Sequence, residues 1–130
     1  MSDHVNTKQI TAMLEAFGRG DLAAVGANFA SDAEWELPGR GEVAGTYKGP
    51  DEIVGFLAKT FELSGGTLAV EPLTVIGSDW GAVHVQRVTA NRDGRTLDCV
   101  EVIAHEMEGG LIRRTYHRPD QHAIDTFFAA

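Results

Sequence analysis

The sequence predicts an α+β domain in which helices lie to one side of a curved antiparallel sheet. Three observations predict it. The N-terminal half carries apolar residues at helical spacing, interrupted by short extended pieces. The C-terminal half reads as long strands joined by turns rich in glycine. Within it, Arg95 to Pro119 divides into two arms around Glu108-Gly109-Gly110, as a hairpin requires.

The elements follow in chain order. Asn6 or Thr7 caps a first helix whose stripe is Ile10, Met13, Leu14 and Phe17, and Gly18 and Gly20 stop it. Asp21 suits the positive end of a second helix, with Leu22, Val25 and Phe29 as its buried side. A short strand from Ala33 to Leu37 ends at Pro38, Gly39 and Gly41, and a second extended piece from Val43 to Tyr47 pairs beside it. Lys48-Gly49-Pro50-Asp51-Glu52 starts a third helix, with proline at its first turn and two acids at its positive end. Ile53, Phe56, Leu57, Thr60 and Phe61 form its inward side.

A strand from Thr67 to Ile76 contains Pro72, which predicts an edge position or a bulge. The next runs from Trp80 to Ala90, and Asp93-Gly94 suits the following turn. The two arms of the hairpin complete an antiparallel meander. A last helix from Pro119 docks Ile124, Phe127 and Phe128. No repeat or linker divides residues 1–130, which read as one domain.

The first arm of the hairpin has two faces. One carries Leu97, Cys99, Glu101, Ile103, His105 and Met107, apolar but for its glutamate and histidine. If that face looks inward, two titratable groups stand roughly 13 Å apart on an apolar wall. In the second arm, Leu111, Arg113, Thr115 and His117 share a face. An extra residue near Pro72 or the Glu-Gly-Gly turn would flip the side chains that follow it.

Apolar residues make up 43% and charged residues 23% of the chain, ordinary globular usage. A net charge of −8 argues against nucleic acid and anionic membrane as partners. One cysteine, Cys99, excludes an intrachain disulfide and a thiolate zinc cluster. The stretch MSDHVNTKQI lacks an apolar signal core, so a cytoplasmic location is expected. The glycines have neither Rossmann nor Walker spacing, and the histidines have no metal spacing within one element; no cofactor or metal is expected.

Three sequence words, GRGDLAAVGANFASDAEWELPG at Gly18 to Gly39, YKGPDEIVGFL at Tyr47 to Leu57 and EGGLIRRTYHRPD at Glu108 to Asp120, give the chain a likeness over nearly its whole length. It resembles the nuclear transport factor 2-like (NTF2-like) superfamily and, within it, the SnoaL-like and ketosteroid-isomerase-like proteins. The resemblance implies a cone-shaped fold, with a curved antiparallel sheet packed on three N-terminal helices around a cavity. It also implies a homodimer through the outer sheet face, and a small apolar or polycyclic organic molecule as ligand. Members range from isomerases, cyclases and hydrolases to binding domains without activity.

The catalytic sets of two relatives are incomplete here. Where steroid isomerases have a general-base Asp and an oxyanion-hole Tyr, this chain has Leu37 and Met13, while Glu101 echoes their second Asp. Where limonene-epoxide hydrolases have Asp-Arg-Asp, this chain has Thr89, Arg87 and a position near Thr115. The resemblance puts Val83, Val85, Arg87 and Thr89 on the cavity side, with Arg113, Thr115 and His117 in the neighbouring strand.

The expected catalytic groups are therefore Glu101, His105 and Arg87. Burial would raise the Glu101 pKa and suit it to acid or base work, and His105 would shuttle a proton. Arg87 and Arg113 would hold a carboxylate or enolate oxygen. The structural alternative is that Glu101 pairs with Arg87 or Arg113 as a buried ion pair. Thr115 and His117 join the cluster by parity, while His84 takes the outer face. Trp35, Tyr47 and Phe56 are cavity-lining aromatics or plain core. Cys99 reads as a small core residue. Three function classes follow: a cofactor-independent isomerase, cyclase or hydrolase; a non-catalytic binding or accessory protein; and an interaction scaffold with a filled core.

Overall fold

The computed structural model describes residues 3–130. Met1 and Ser2, the start of the stretch read as lacking a signal core, lie outside the described residues. Helix α1 (Val5–Gly18) opens the chain and α2 (Leu22–Gly26) follows. The cap of α1 is His4, whose ring accepts the Asn6 N–H, rather than Asn6 or Thr7. Those two residues tie the helix to the sheet instead: Asn6 donates to the Ser78 carbonyl and Thr7 Oγ1 accepts the Gly77 N–H. Asp21 caps α2 by accepting from Ala24 N.

Strand β1 (Phe29–Leu37) begins four residues before the predicted start at Ala33, so Phe29 belongs to it rather than to α2. Strand β2 (Gly45–Lys48) and helix α3 (Gly49–Leu63) come next, with proline and both acids in the first turn of α3. Two helices, not three, thus precede the first strand. The rest is β3 (Ala69–Ser78), β4 (Gly81–Arg92), β5 (Arg95–Glu108), β6 (Leu111–Arg118) and α4 (Gln121–Phe127).

All six strands form one sheet, in the order β2-β1-β6-β5-β4-β3. It is mixed rather than purely antiparallel, because β1 lies parallel to β6. The edge position and the bulge predicted from Pro72 both occur: β3 is an outer strand, and its register against β4 shifts between Pro72 and Thr74. The core lies between the inner sheet face and the helices. Ile10, Met13, Ile53 and Phe56 meet Trp35, Val88, Leu97 and Ile103 there, all buried. Among the described residues, no helix is long and apolar enough to cross a membrane.

Candidate active site on the inner sheet face

The turn between β4 and β5 determines which residues face the core. Asp93 and Gly94 have φ of 47° and 81°, as a two-residue hairpin turn demands. Arg92 therefore faces Arg95, and counting back along the ladder sets Gln86 opposite Glu101, His84 opposite Ile103 and Ala82 opposite His105. Directly opposed residues share a face of the sheet. Strand β6 then brings His117 opposite Ile103 and Thr115 opposite His105, and β1 brings Trp35 beside Thr115. One wall thus carries Trp35, His84, Gln86, Glu101, His105, Thr115 and His117, all buried.

These side chains form one continuous hydrogen-bonded chain. The Trp35 indole meets His117 Nδ1 at 3.3 Å, and His117 Nε2 meets Glu101 Oε2 at 2.9 Å. From the other side, Gln86 Nε2 donates to Glu101 Oε1 at 2.8 Å, and His84 Nε2 meets Gln86 Oε1 at 2.9 Å. His105 Nε2 lies 3.2 Å from His84 Nδ1, and Thr115 Oγ1 lies 2.8 Å from His105 Nδ1.

One arrangement of protons satisfies every contact. Trp35 can only donate, so His117 Nδ1 accepts and its Nε2 carries the hydrogen given to Glu101. Gln86 gives an amide hydrogen to Glu101, which turns its carbonyl to His84 and puts a hydrogen on His84 Nε2. Neutral His84 then accepts at Nδ1 from His105, and neutral His105 accepts from the Thr115 hydroxyl. Both arms donate toward Glu101.

The electrostatics agree with that direction. Burial opposes the Glu101 charge, but the facing His117 and the hydrogen bonds from His117 and Gln86 prevail, and its pKa falls below the usual 4.5. Burial lowers His84 to about 4 against the support of its Gln86 hydrogen bond. Burial, with His84 and His117 nearby, takes His105 well below 6.5. The wall is one buried carboxylate beside two neutral imidazoles and His117.

Glu101, His117, His84 and Gln86 border a cavity of about 70 Å³ whose other walls are chiefly apolar, among them Phe17, Leu57, Val88 and Phe128. That is room for roughly five waters or one small ring. Phe56 lies between Trp35 and Tyr47, with centroid separations of 5.5 and 4.5 Å, so two of the three predicted aromatics reach the cavity directly and Tyr47 backs them. The Tyr47 hydroxyl is spent on the Val43 carbonyl.

The SnoaL-like domain family matches residues 10–115. The chain belongs to the SnoaL-like family. An uncharacterised Mycobacterium tuberculosis protein is 34% identical over 99% of this chain and 100% of its own length. The structure of Bal32a, from a soil-derived mobile gene cassette, superposes with a TM-score of 0.89 at 30% identity, covering 95% of each chain. That of TerC, co-crystallised with polyporic acid, has a TM-score of 0.82 at 23% identity, covering 95% of this chain and 97% of that one.

Within this SnoaL-like chain, several expected site residues lie elsewhere. Arg87 points to the outer face, half-exposed, and grips Asp98 through two hydrogen bonds of 2.8 and 2.6 Å. Val83, Val85 and Thr89 share its side, because Ala82, His84, Gln86, Val88 and Ala90 take the inward positions. His84, expected outside, is buried at the centre of the wall. Arg113 occupies a bulge where β6 slips by one residue between Ile112 and Arg114, and it pairs with Asp32 and Glu108 at the surface. The bulge restores Thr115 and His117 to the inner face. Glu101 therefore pairs with histidine and glutamine, not arginine.

Gln86 and His84 were missed, although the Asp93-Gly94 turn pointed to them: once Glu101 faces inward, its hairpin partner does too. His105 is wholly buried behind the cavity lining, hydrogen-bonded to His84 and edge-on to Trp35. Burial raises the Cys99 thiol to about 11, as suits a packing residue. Among the described residues, no three His, Cys, Asp or Glu side chains converge as metal ligands.

Proposed function

We propose that this SnoaL-like chain binds a small, largely apolar molecule in the cavity and moves a proton on it without a cofactor, as an isomerase, cyclase or hydrolase does. The observation that supports this is the Glu101–His117 contact of 2.9 Å at the edge of a chiefly apolar hollow. His117 is the proton-moving group. It takes a proton at Nδ1 when a ligand displaces the long contact from Trp35, and the Glu101 carboxylate steadies the imidazolium. Glu101, with its pKa lowered, acts as that stabiliser rather than as an acid at neutral pH.

A body of one ring fits the cavity as it stands. A polycyclic ligand, as in TerC with polyporic acid, needs a hollow of several hundred Å³ and hence an outward shift of the helices. The cone-shaped arrangement and a homodimer through the outer sheet face belong to the same reading. Val100 and Val102 on that face are 52% and 42% exposed, which is apolar surface a second copy would cover.

A non-catalytic binding role is the second reading. It draws on the fact that, among the described residues, every buried side-chain nitrogen and oxygen already has a partner. Solvent-deuterium exchange at the α-carbon of 2-hydroxy-1-phenylethanone separates the two. Proton transfer predicts exchange faster than in matched buffer, and its loss in His117→Asn. Exchange at the buffer rate, with the ketone bound, would leave the binding role.

A further inference from the structure

The hydrogen-bonding capacity that the wall leaves unused is chiefly that of an acceptor. His117 spends its Nε2–H on Glu101 and its Nδ1 on Trp35. The Thr60 hydroxyl, also at the cavity, donates to the Leu57 carbonyl. His84 spends both ring nitrogens, on Gln86 and His105. Gln86 retains a second amide hydrogen. Glu101 accepts one hydrogen bond on each oxygen, whereas a carboxylate has about four acceptor sites, so about two remain. Among the described residues, no Lys or Arg borders the cavity, and Arg87 and Arg113 lie on the outer surface.

The remote arm of the chain runs in the matching direction. A glutamine amide can turn by half a rotation and present either its oxygen or its nitrogen. Here the Gln86 nitrogen faces the acceptor-only Glu101 carboxylate, so the Gln86 oxygen accepts from His84, His84 accepts from His105, and the Thr115 hydroxyl, free to donate or accept, donates to His105. The carboxylate thereby sets the direction of a buried threonine and two buried histidines, none of which the proton transfer uses.

We propose that the ligand of this cavity carries a hydrogen-bond donor, a hydroxyl or an ammonium group, on an apolar body of about one ring, and that this donor binds Glu101. A carboxylate head is rejected, since it would face a buried negative charge with no arginine to offset it. This inference rests on the reading of the cavity as a binding site.

Four probes of similar shape test it by calorimetry on the wild-type protein: toluene, benzyl alcohol, benzylamine and benzoate. The expected result is that at least one of the two donors binds about tenfold or more tighter than toluene, with benzoate undetected. Toluene binding as tightly as both donors, or benzoate binding comparably to either, overturns the donor assignment and leaves the cavity reading intact. Failure of all four overturns the cavity reading, and the donor assignment with it. In Glu101→Gln the donor advantage disappears while toluene binding persists; an undiminished advantage in that variant also overturns the assignment. Should the variant not fold, the wild-type series decides alone.

Discussion

Glu101 Oε2 accepts the His117 Nε2–H at 2.9 Å across neighbouring strands, and Glu101 Oε1 accepts from Gln86 at 2.8 Å. One carboxylate thus satisfies two buried donors. Replacing it with leucine strands both, at about 1–3 kcal/mol for each unpaired group. Glu101→Leu is expected to lose about 3 kcal/mol in urea unfolding, and Glu101→Gln, which keeps one acceptor, about 1 kcal/mol. Equal stability of Glu101→Leu and wild type would show that the contacts are dispensable.

Acid should destabilise the fold in a defined window. His84 has a folded pKa of about 4 and His105 one well below 6.5, so the unfolded chain binds more protons than the folded one at these sites. Their contribution is complete above about pH 6.5 and falls as the pH drops toward 4. Glu101, also lowered, extends the loss below its usual 4.5. The melting temperature should be flat from about pH 8 to 7 and decline from about pH 6.5. His105→Gln should make the decline shallower. A melting temperature that rises on acidification would contradict the neutral state of both rings.

Much of this wall was legible, and the reason for the rest is physical. In β5 one set of alternate residues, Leu97, Cys99, Ile103 and Met107, is apolar but for Glu101 and His105. On the other, Asp98, Glu106 and Glu108 flank Val100, Val102 and Ala104, so the grouping was legible although parity left the inward side conditional. In β4 both faces are apolar: Val83 and Val85 on one side, Ala82 and Val88 on the other. Alternation there has no sign, and the family likeness favoured the wrong side. The register set by Asp93-Gly94 carried the missing information. Arg113 was misplaced by a single bulged residue, which a turn as permissive as Gly109-Gly110 does not betray. The parallel contact of β1 with β6 is a long-range pairing that local pattern does not encode.

Arg87 is the sharpest separation between the sequence reading and the fold. Its guanidinium is held by Asp98 on the outer face, and that hydrogen bond, with the aspartate charge, raises its pKa. Arg87→Ala should leave the deuterium exchange and the probe affinities at wild-type levels. Exposed ion pairs contribute little to folding, so the melting temperature should barely move. A loss of probe binding would require Arg87 to reach the cavity, against its present direction.

Gly81 opens β4 opposite Glu106, with φ of 154°. A Cβ there would collide with the carbonyl oxygen of His105, a backbone atom that cannot swing away. The strand would have to move, and with it the ring that His105 aligns on His84. Gly81→Ala should cost about 2 kcal/mol or more. It should also make the acid dependence set by the His84–His105 pair shallower, because loosened burial lets the folded rings protonate more nearly as the unfolded ones do. A fully stable variant with an unchanged pH profile would mean that the strand end yields without disturbing the wall.

The C-terminal end of the cavity offers the last test, because its backbone and side chains are held by different contacts. Arg95 donates to the carbonyls of Phe127 and Ala129 at 3.0 and 2.7 Å, and Glu42 N donates to the Phe128 carbonyl at 2.8 Å. The Phe128 side chain, by contrast, lines the cavity and packs edge-on against Phe127. Phe128→Ala should therefore keep the backbone clasp, lose about 3 kcal/mol of packing, and enlarge the hollow. It should admit 2-naphthol where the wild type takes only single rings, measured by calorimetry. Loss of amide-exchange protection at Glu42 in the variant, with no gain in naphthol binding, would mean that the aromatic ring, rather than the arginine clasp, holds the chain end in place.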